Sequence, residues 1–326
     1  MSLCAKRLAY PLAAGDGVAD IYRPASGGRH PAVLLFLGVN PAGRDDSRVV
    51  GLAEGLARAG VVVMIPWSDT MTQKRVSAEK IDNLVRAFQY LVGLDVVDHE
   101  KAGMGGFCVG ASFSTVAAQD PRIRDHVRFV NFFGGYYDAR DLVASVVSST
   151  RFGDGIEEAW APDKLSIEVV YTHLVEGVSD LAERKLLYRV FVLRDAVLDD
   201  AVVTGLSSEA RVVFELLSGV ELARANELID ALPQRVLDAL DAISPKTRID
   251  QLNARVPIMY DREDDLVSSE ESRRLAAALA DRGGVYHTEF SLFQHVDPTR
   301  SVSLPVYAKE LLKLYLHMYH VLKELS

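Results

Sequence analysis

The chain has 326 residues, of which 49% are hydrophobic and 25% are charged, and its formal net charge is −9. This composition predicts a soluble globular protein with a sizeable core. The acidic excess argues against nucleic acid or an anionic membrane surface as a partner, since either requires a basic face. No stretch approaches the ~20 apolar residues of a membrane span, and the first seven residues lack the apolar core of an export signal. Two cysteines do not form a disulfide framework, so we expect a cytoplasmic protein.

Apolar runs and helical spacings alternate along the chain, as a parallel sheet requires. A hairpin is predicted around residues 15–17, and the continuous apolar runs 32–37 and 61–65 predict strands that are covered on both faces. Apolar residues at helical spacing predict helices that end near Gly60 and Val92. The remaining predicted elements are strands at 101–107, 127–133, 256–260 and 285–290 and helices at 111–118, 270–280 and 306–325.

A long insertion separates the strands predicted in the N-terminal part of the chain from those predicted in the C-terminal part. Between Tyr137 and Leu252 no strand pattern is found, and apolar residues recur at helical spacing. About 110 residues are too many for a simple connection, so residues 138–245 are predicted to form a helical cap, with a core built from 1–137 and 246–326. A cap that leaves the carboxyl edge of the sheet would roof the ligand site. The alternative is a helical bundle that only decorates the core or dimerises.

Gly106-Phe107-Cys108-Val109-Gly110 is the most informative motif. A glycine, a nucleophile and a second glycine at this spacing, between a strand and a helix, are typical of a nucleophile elbow, in which the sharp turn tolerates only glycine at either end. The pattern predicts Cys108 as a thiol nucleophile. The alternative is a buried structural cysteine in a glycine-rich strand end.

A thiol nucleophile needs a base, and the base needs an acid that orients it, in the chain order nucleophile, acid, histidine. Of the eight histidines, only His295 lies in the loop after the last predicted strand. Four carboxylates follow strand 256–260, and among them Asp264 is the preferred acid, with Asp265 second. The alternatives are a solvated loop histidine and a solvated acidic turn.

This layout resembles the α/β-hydrolase superfamily, and the elbow is most similar to that of dienelactone hydrolases. The run Asp264-Asp265-Leu266-Val267 resembles the turn after the acid strand of the superfamily, and His295 matches its histidine loop. The resemblance covers about residues 1–137 and 245–326. It implies an α/β fold with a mostly parallel central sheet, helices on both faces and, here, an inserted helical cap.

Two departures argue against dienelactone itself as the substrate. The stretch 37–41 offers no acid where dienelactone hydrolases carry a glutamate, and those enzymes usually lack a large cap. Arg300 lies near the place of their substrate-carboxylate arginine, one residue further on, so it is a candidate substrate-binding residue or a surface arginine. Tyr136, Tyr137 and Trp67, at predicted strand ends, either line the pocket or pack in the core.

The motif also indicates a mechanism. A cysteine at the start of a helix lies at the positive end of its dipole, and the imidazole of His295 favours the thiolate further. The N–H of Val109 is the expected first oxyanion donor, and the N–H of Val39 or Asn40 is the expected second. We therefore expect an enzyme that hydrolyses an ester, lactone or thioester. An acyltransferase or thioesterase is a close variant, and a non-catalytic binding protein of the same fold is the contrasting hypothesis.

Cofactors and metals are not expected. The glycines of 103–106 do not have dinucleotide-binding spacing, and no histidines and cysteines cluster at metal-ligand spacing. The expected partner is a small-molecule acyl substrate. The last helix is predicted to pack on the core, and homodimerisation through it stays open.

Overall fold

The computed structural model describes residues 2–326 and is built around an eight-stranded sheet. Two further strands form a separate hairpin. The ten strands, in chain order, are β1 (Leu3–Pro11), β2 (Asp16–Pro24), β3 (His30–Phe36), β4 (Val62–Pro66), β5 (Val97–Phe107), β6 (Val130–Phe133), β7 (Thr150–Gly153), β8 (Ile156–Ala159), β9 (Val256–Asp261) and β10 (Val285–Phe290).

The strand order of the large sheet is β1-β2-β4-β3-β5-β6-β9-β10. The β1–β2 and β2–β4 pairs are antiparallel, and every pair from β4 to β10 is parallel. The predicted α/β class with a mostly parallel sheet is thereby confirmed. Because β5 lies at the centre, the residues that follow it meet loops from the neighbouring strands at the carboxyl edge.

Helices cover both faces of the sheet and fill most of the insertion. The α-helices of the described residues are α1 (Ser47–Arg58), α2 (Asp69–Thr72), α3 (Glu79–Val92), α4 (Val109–Ala117), α5 (Ala139–Ser148), α6 (Lys164–Glu176), α7 (Leu181–Leu187), α8 (Asp200–Gly205), α9 (Ser208–Leu217), α10 (Leu222–Asp230), α11 (Gln234–Ala242), α12 (Glu270–Ala278) and α13 (Leu304–Lys323). A π-helical turn continues α7 over Tyr188–Leu193.

The strands are apolar on both sides because each face has its own helical cover. The larger hydrophobic cluster packs α3, α4 and the insertion on one face, and it includes Leu34, Met64 and Val85. On the other face, Ala53 and Ala57 of α1 and Val321 of α13 pack in a second cluster. Of the described residues 2–326, no helix is both long and apolar enough to cross a bilayer.

The prediction of an insertion without strands was wrong, because β7 and β8 form an antiparallel hairpin directly after α5. Its turn uses Gly153, Asp154 and Gly155, all at positive φ. The strand Ile156–Ala159 carries two adjacent glutamates and is mostly exposed, so the hairpin lacks the alternation of apolar and polar residues that marks a half-buried strand. Cross-strand contacts such as the pair Arg151–Glu158 replace apolar burial.

Candidate active site

The elbow around Cys108 is strained in the way that the motif predicts. Cys108 sits between β5 and α4 at φ 54° and ψ −138°, a backbone conformation that L-residues rarely adopt. A side chain on Gly106 would collide with the Gly110 carbonyl, and a side chain on Gly110 would collide with the Phe36 carbonyl. Both glycines are therefore required for the turn that presents the Cys108 thiol.

The loop after β3 lies against this elbow. Gly38 has a φ of +68°, and a Cβ atom there would lie 2.6 Å from the Gly110 nitrogen and 3.3 Å from the Val109 nitrogen. Val109 is the first residue of α4, where a helix leaves its N–H groups without intrahelical partners. Val39 is buried beside it, whereas the Asn40 side chain hydrogen-bonds within its own loop, to Gly43 O and Ala42 N. The backbone N–H groups of Val39 and Val109 thus belong to adjoining segments.

His295 and Asp264 form a buried pair. Nδ1 of His295 lies 2.7 Å from Oδ2 of Asp264, and the two side chains are 8% and 0% exposed. The other oxygen of Asp264 accepts the N–H groups of Leu266 and Val267 at 2.8 and 3.0 Å. These bonds fix the carboxylate, and the carboxylate fixes the orientation of the imidazole ring.

The imidazole of His295 carries a strongly shifted pKa. Burial alone would lower the pKa, but the negative charges of Asp264 and Cys108 and the hydrogen bond to Asp264 outweigh burial and raise it well above its usual range. The Nε2 atom is buried and has no hydrogen-bond partner among residues 2–326. The ring lies near the elbow, because the Cys108 N–H donates to the Phe133 carbonyl at 2.9 Å and a Cβ atom on the next residue, Gly134, would lie 3.0 Å from Cε1 of His295.

Asp261, which the sequence analysis did not single out, holds the backbone of His295. Its fully buried Oδ2 accepts the N–H of His295 at 3.1 Å and an Nη2–H of Arg300 at 2.8 Å. Burial raises the pKa of Asp261 to about 6, although Arg300 and the N–H groups of Glu263 and His295 oppose this. His295 itself has a φ of 57°. Arg300 therefore binds the carboxylate that holds the backbone of His295.

The insertion directly contacts the loop between β9 and α12, residues 262–269, which carries Asp264 and is called the acid loop below. Nε1–H of Trp160 donates to the Asp264 carbonyl at 2.9 Å, and the N–H of Asp163 donates to the Asp265 carbonyl at 2.7 Å. The hydroxyl of Ser166 donates to the Leu266 carbonyl. Three consecutive carbonyls of the acid loop are thus bound by residues of the insertion. Side-chain-to-backbone bonds between distant segments leave no local sequence pattern, so Trp160 and Ser166 were not predicted.

The remaining candidates lie in different places. Asp265 does not contact His295 Nδ1, and burial raises its pKa. Tyr136 is 2% exposed, its hydroxyl has no partner within residues 2–326, and burial, followed by the charge of Cys108, raises its pKa. Tyr137 is buried at the start of the insertion. Nε1–H of Trp67 donates to Asp20 at 2.7 Å near the antiparallel end of the sheet.

Among residues 2–326, no three His, Cys, Asp or Glu side chains are grouped so that they could hold a metal ion.

No protein-family model matches the chain. A curated relative from Bradyrhizobium sp., named a probable 2-oxo-3-(5-oxofuran-2-ylidene)propanoate lactonase, is 25% identical over 175 residues, which are 46% of this chain and 68% of the relative.

The solved structures that are similar over nearly the whole chain include the following three. An acylaminoacyl peptidase from Pyrococcus horikoshii matches with a TM-score of 0.55 and 12% identity, over 97% of this chain and 42% of its own. An esterase from Pyrobaculum calidifontis matches with a TM-score of 0.54 and 15% identity, over 99% and 87%. A protein assigned as a dienelactone hydrolase from Klebsiella pneumoniae matches with 0.51 and 12%, over 97% and 98%.

The chain spans about two-fifths of the length of the acylaminoacyl peptidases that it matches. Structural similarity at identities this low establishes the fold of the chain but not the reaction that it catalyses. Together with the strand order and the elbow, these similarities show that the chain has the α/β-hydrolase fold.

Proposed function

We propose that the chain is a hydrolase that cleaves a carboxylic ester, lactone or thioester through a Cys108–His295–Asp264 triad. The observation that carries the proposal is the position of the His295 ring, which is paired with Asp264 at 2.7 Å and lies against Gly134, the residue after the Phe133 carbonyl that accepts the Cys108 N–H. An imidazole that is oriented by a carboxylate and can reach a thiol is the arrangement that activates a cysteine nucleophile. The lactonase named among the relatives supports this class of substrate.

The residues then have separate roles. The Cys108 thiolate attacks the carbonyl carbon, a C–S bond forms, and the carbonyl electrons move to oxygen, where the N–H groups of Val109 and Val39 stabilise the oxyanion. When the intermediate collapses, the C–O or C–S bond to the leaving group breaks, and Nε2–H of His295 protonates the leaving group. His295 next takes a proton from water, which attacks the acyl-cysteine and releases the acid and the free thiol. Loss of one oxyanion donor typically costs ~10²–10³ in rate.

Alkylation of Cys108 tests the triad independently of the substrate. Cys4, the only other cysteine and an exposed one, is first replaced by alanine, so that iodoacetamide labelling reports Cys108 alone. Near neutral pH we expect labelling to be fast in Cys4→Ala and at least about ten-fold slower after His295→Ala or Asp264→Asn is added, because the thiolate loses its imidazolium partner. Equal labelling rates in all three proteins would contradict the triad.

Release of p-nitrophenol from short acyl esters tests turnover. We expect Cys4→Ala to match the wild type and Cys108→Ala to lose activity. Fast, His295-dependent labelling without turnover of esters, lactones or thioesters would favour a non-catalytic binding protein or an acyltransferase. Adding an acceptor thiol or alcohol distinguishes these two, since only an acyltransferase then releases p-nitrophenol.

A further inference from the structure

The outward side of α13 is apolar. Nine of its large hydrophobic side chains are between 38% and 83% exposed: Leu304, Val306, Tyr307, Leu311, Leu312, Tyr315, Leu316, Tyr319 and Leu322. Its inward side carries Glu310, His317 and Val321, which are buried against the sheet. A helix on the surface of a globular protein normally shows the opposite distribution, with charged residues facing water. An apolar face of this extent marks an interaction surface.

Charged side chains lie away from the centre of this face. Glu310 is buried and pairs with Lys313 at 2.7 Å, and Lys313 also donates to the Glu289 carbonyl. At 100° per residue, Lys323, Lys309 and His320 lie about 100° to 160° around the helix from the line of Leu304 and Leu322. The face is therefore suited to a second apolar surface.

The spacing along the face is that of a helix pair. Leu304, Ala308, Leu311, Tyr315, Met318 and Leu322 follow one another at intervals of four, three, four, three and four residues. This is the heptad seam that packs one helix against another in knobs-into-holes fashion.

The seam is complementary to the same seam of a second copy that runs in the opposite direction. In an antiparallel pair of α13 helices, Leu304 meets Leu322, Ala308 meets Met318 and Leu311 meets Tyr315. Tyr307 of one copy and Tyr319 of the other lie at the same level of the pair, on opposite sides of the seam. We propose that α13 is the interface of a homodimer, in which the helices of two copies pack antiparallel about a two-fold axis near residue 313. An isologous interface, in which both copies use the same patch of surface, requires a face that is complementary to itself in this way.

The shape and size of the face suit a second copy of α13. A surface hollow of about 370 Å³ opens near the end of the helix, lined by Tyr315, Met318, Tyr319, Leu322, Lys323 and Ser326. In the antiparallel register the partner's first turn reaches this hollow, and Leu304, 83% exposed, is the side chain that would enter it. The six exposed side chains at or beside the seam, Leu304, Tyr307, Leu311, Tyr315, Tyr319 and Leu322, offer on the order of 600 Å² per copy, about three-quarters of what a standard interface buries on each side.

A second copy fits better than a lipid surface. Three tyrosines lie on the face, and tyrosine is enriched at protein interfaces because its ring is buried while its hydroxyl finds a partner. The net charge of −9 opposes adsorption to anionic lipid, and the cations of α13 lie on one side of the helix, away from the line of Leu304 and Leu322.

Sedimentation equilibrium of the full chain tests the dimer. We expect a mass of about twice 35.8 kDa at micromolar concentration for the wild type, and of 35.8 kDa for the Leu311→Glu/Tyr315→Glu variant. The matched control is Leu181→Glu/Val197→Glu, which places the same charges on two exposed apolar residues of the insertion, 58% and 95% exposed. The control should remain dimeric. Circular dichroism and the melting temperature verify that both variants are folded.

Mixing charge variants tests the register. The Leu311→Lys/Tyr315→Lys and Leu311→Glu/Tyr315→Glu variants should each be monomeric alone and form mixed dimers together, since position 311 of one copy faces position 315 of the other. A monomeric wild type, or a dimer that both the α13 variant and the control leave intact, would overturn the proposal. Cosedimentation of a monomeric wild type with phosphatidylcholine or phosphatidylcholine–phosphatidylserine vesicles would assign the face to a membrane instead.

Discussion

At the residue scale, Asp261 and Arg300 support His295 through its backbone, whereas Asp264 acts on its ring. The Asp261 carboxylate accepts the His295 N–H, and Arg300 supplies the positive charge that opposes the raised pKa of this carboxylate. His295 also needs this restraint because its φ is positive, which is unfavourable for a residue with a side chain. The pair is therefore a positioning device for the proposed base.

Arg300→Ala should lower kcat by about ten-fold and leave KM nearly unchanged, because a displaced base weakens the chemical step more than substrate binding. Without Arg300 the pKa of Asp261 rises further, so the acid limb of the pH–rate profile should move to higher pH. The measurement is a set of steady-state rates across pH on one neutral and one anionic ester.

The control is Arg262→Ala, which removes a neighbouring arginine that pairs with Glu289 at 3.4 Å. This variant should keep the wild-type profile. A rise in KM confined to the anionic ester would instead support the sequence-based hypothesis that Arg300 binds a substrate carboxylate.

The roles of some of these residues can be predicted from the sequence, and the roles of others cannot. The elbow glycines and Cys108 have fixed local spacing, and the α/β-hydrolase fold that they predict is confirmed. The choice between Asp264 and Asp265 cannot be made from spacing, because it depends on which carboxylate the loop turns inward. Asp261 ends an apolar strand like any other polar residue, and its role depends on a loop 34 residues away.

At the element scale, the insertion is attached to the acid loop, and Trp160 makes the contact nearest to the proposed acid. Trp160→Phe keeps the ring but removes the N–H that binds the Asp264 carbonyl. We expect the acid loop to loosen, turnover to fall several-fold, and stability to fall by about 1 kcal/mol, the net value of one hydrogen bond. Ester kinetics and urea denaturation measure the two effects.

Trp67→Phe is the matched control, since it removes one indole N–H bond, to Asp20, near the other end of the sheet. It should cost similar stability and leave kcat and KM unchanged. A rise in KM for Trp67→Phe would return Trp67 to the substrate pocket, as the sequence-based hypothesis had it.

Helix α12 is tied to the start of the insertion by a buried carboxylate. Glu271 accepts the N–H groups of Tyr137 and Asp138 at 2.8 and 3.0 Å and pairs with Arg274. Burial raises the pKa of Glu271 from 4.5 to about 7, with Arg274 opposing. A carboxyl group with a raised pKa binds its proton more tightly when folded. It therefore stabilises the fold below pH ~4.5, and this contribution is lost as the pH rises to about 7.

Glu271→Gln should remove that pH dependence. Between pH 5 and pH 8 the free energy of unfolding should fall less in the variant than in the wild type, by about 3 kcal/mol at most. Urea denaturation at the two pH values is the measurement, and Glu270→Gln, which alters the adjacent buried glutamate paired with Arg273, is the control. Parallel pH dependences in the wild type and Glu271→Gln would show that Glu271 is not the titrating group.

At the scale of the whole molecule, the insertion and the sheet share one hydrophobic cluster. Val170 and Leu216 of the insertion belong to the same cluster as Leu34 and Phe113 of the sheet and its helices. The boundary at 138 and 245 was predicted from the loss of strand pattern, and it stays a prediction. A shared core and the bonds from Trp160 and Glu271 make separate unfolding of the two parts unfavourable, since each would expose apolar surface of the other.

We therefore expect one cooperative unfolding transition. The chain has two tryptophans, and they report different parts: Trp160 lies in the insertion and Trp67 follows strand β4. In Trp67→Phe the fluorescence of Trp160 should change at the same urea concentration as the far-ultraviolet circular dichroism of that protein, and in Trp160→Phe the fluorescence of Trp67 should do the same. All scans are made at one protein concentration, because dissociation of a dimer would shift the midpoint. A Trp160 transition that precedes the loss of circular dichroism would mean that the insertion opens as a unit of its own, and substrate access would then be controlled by that opening.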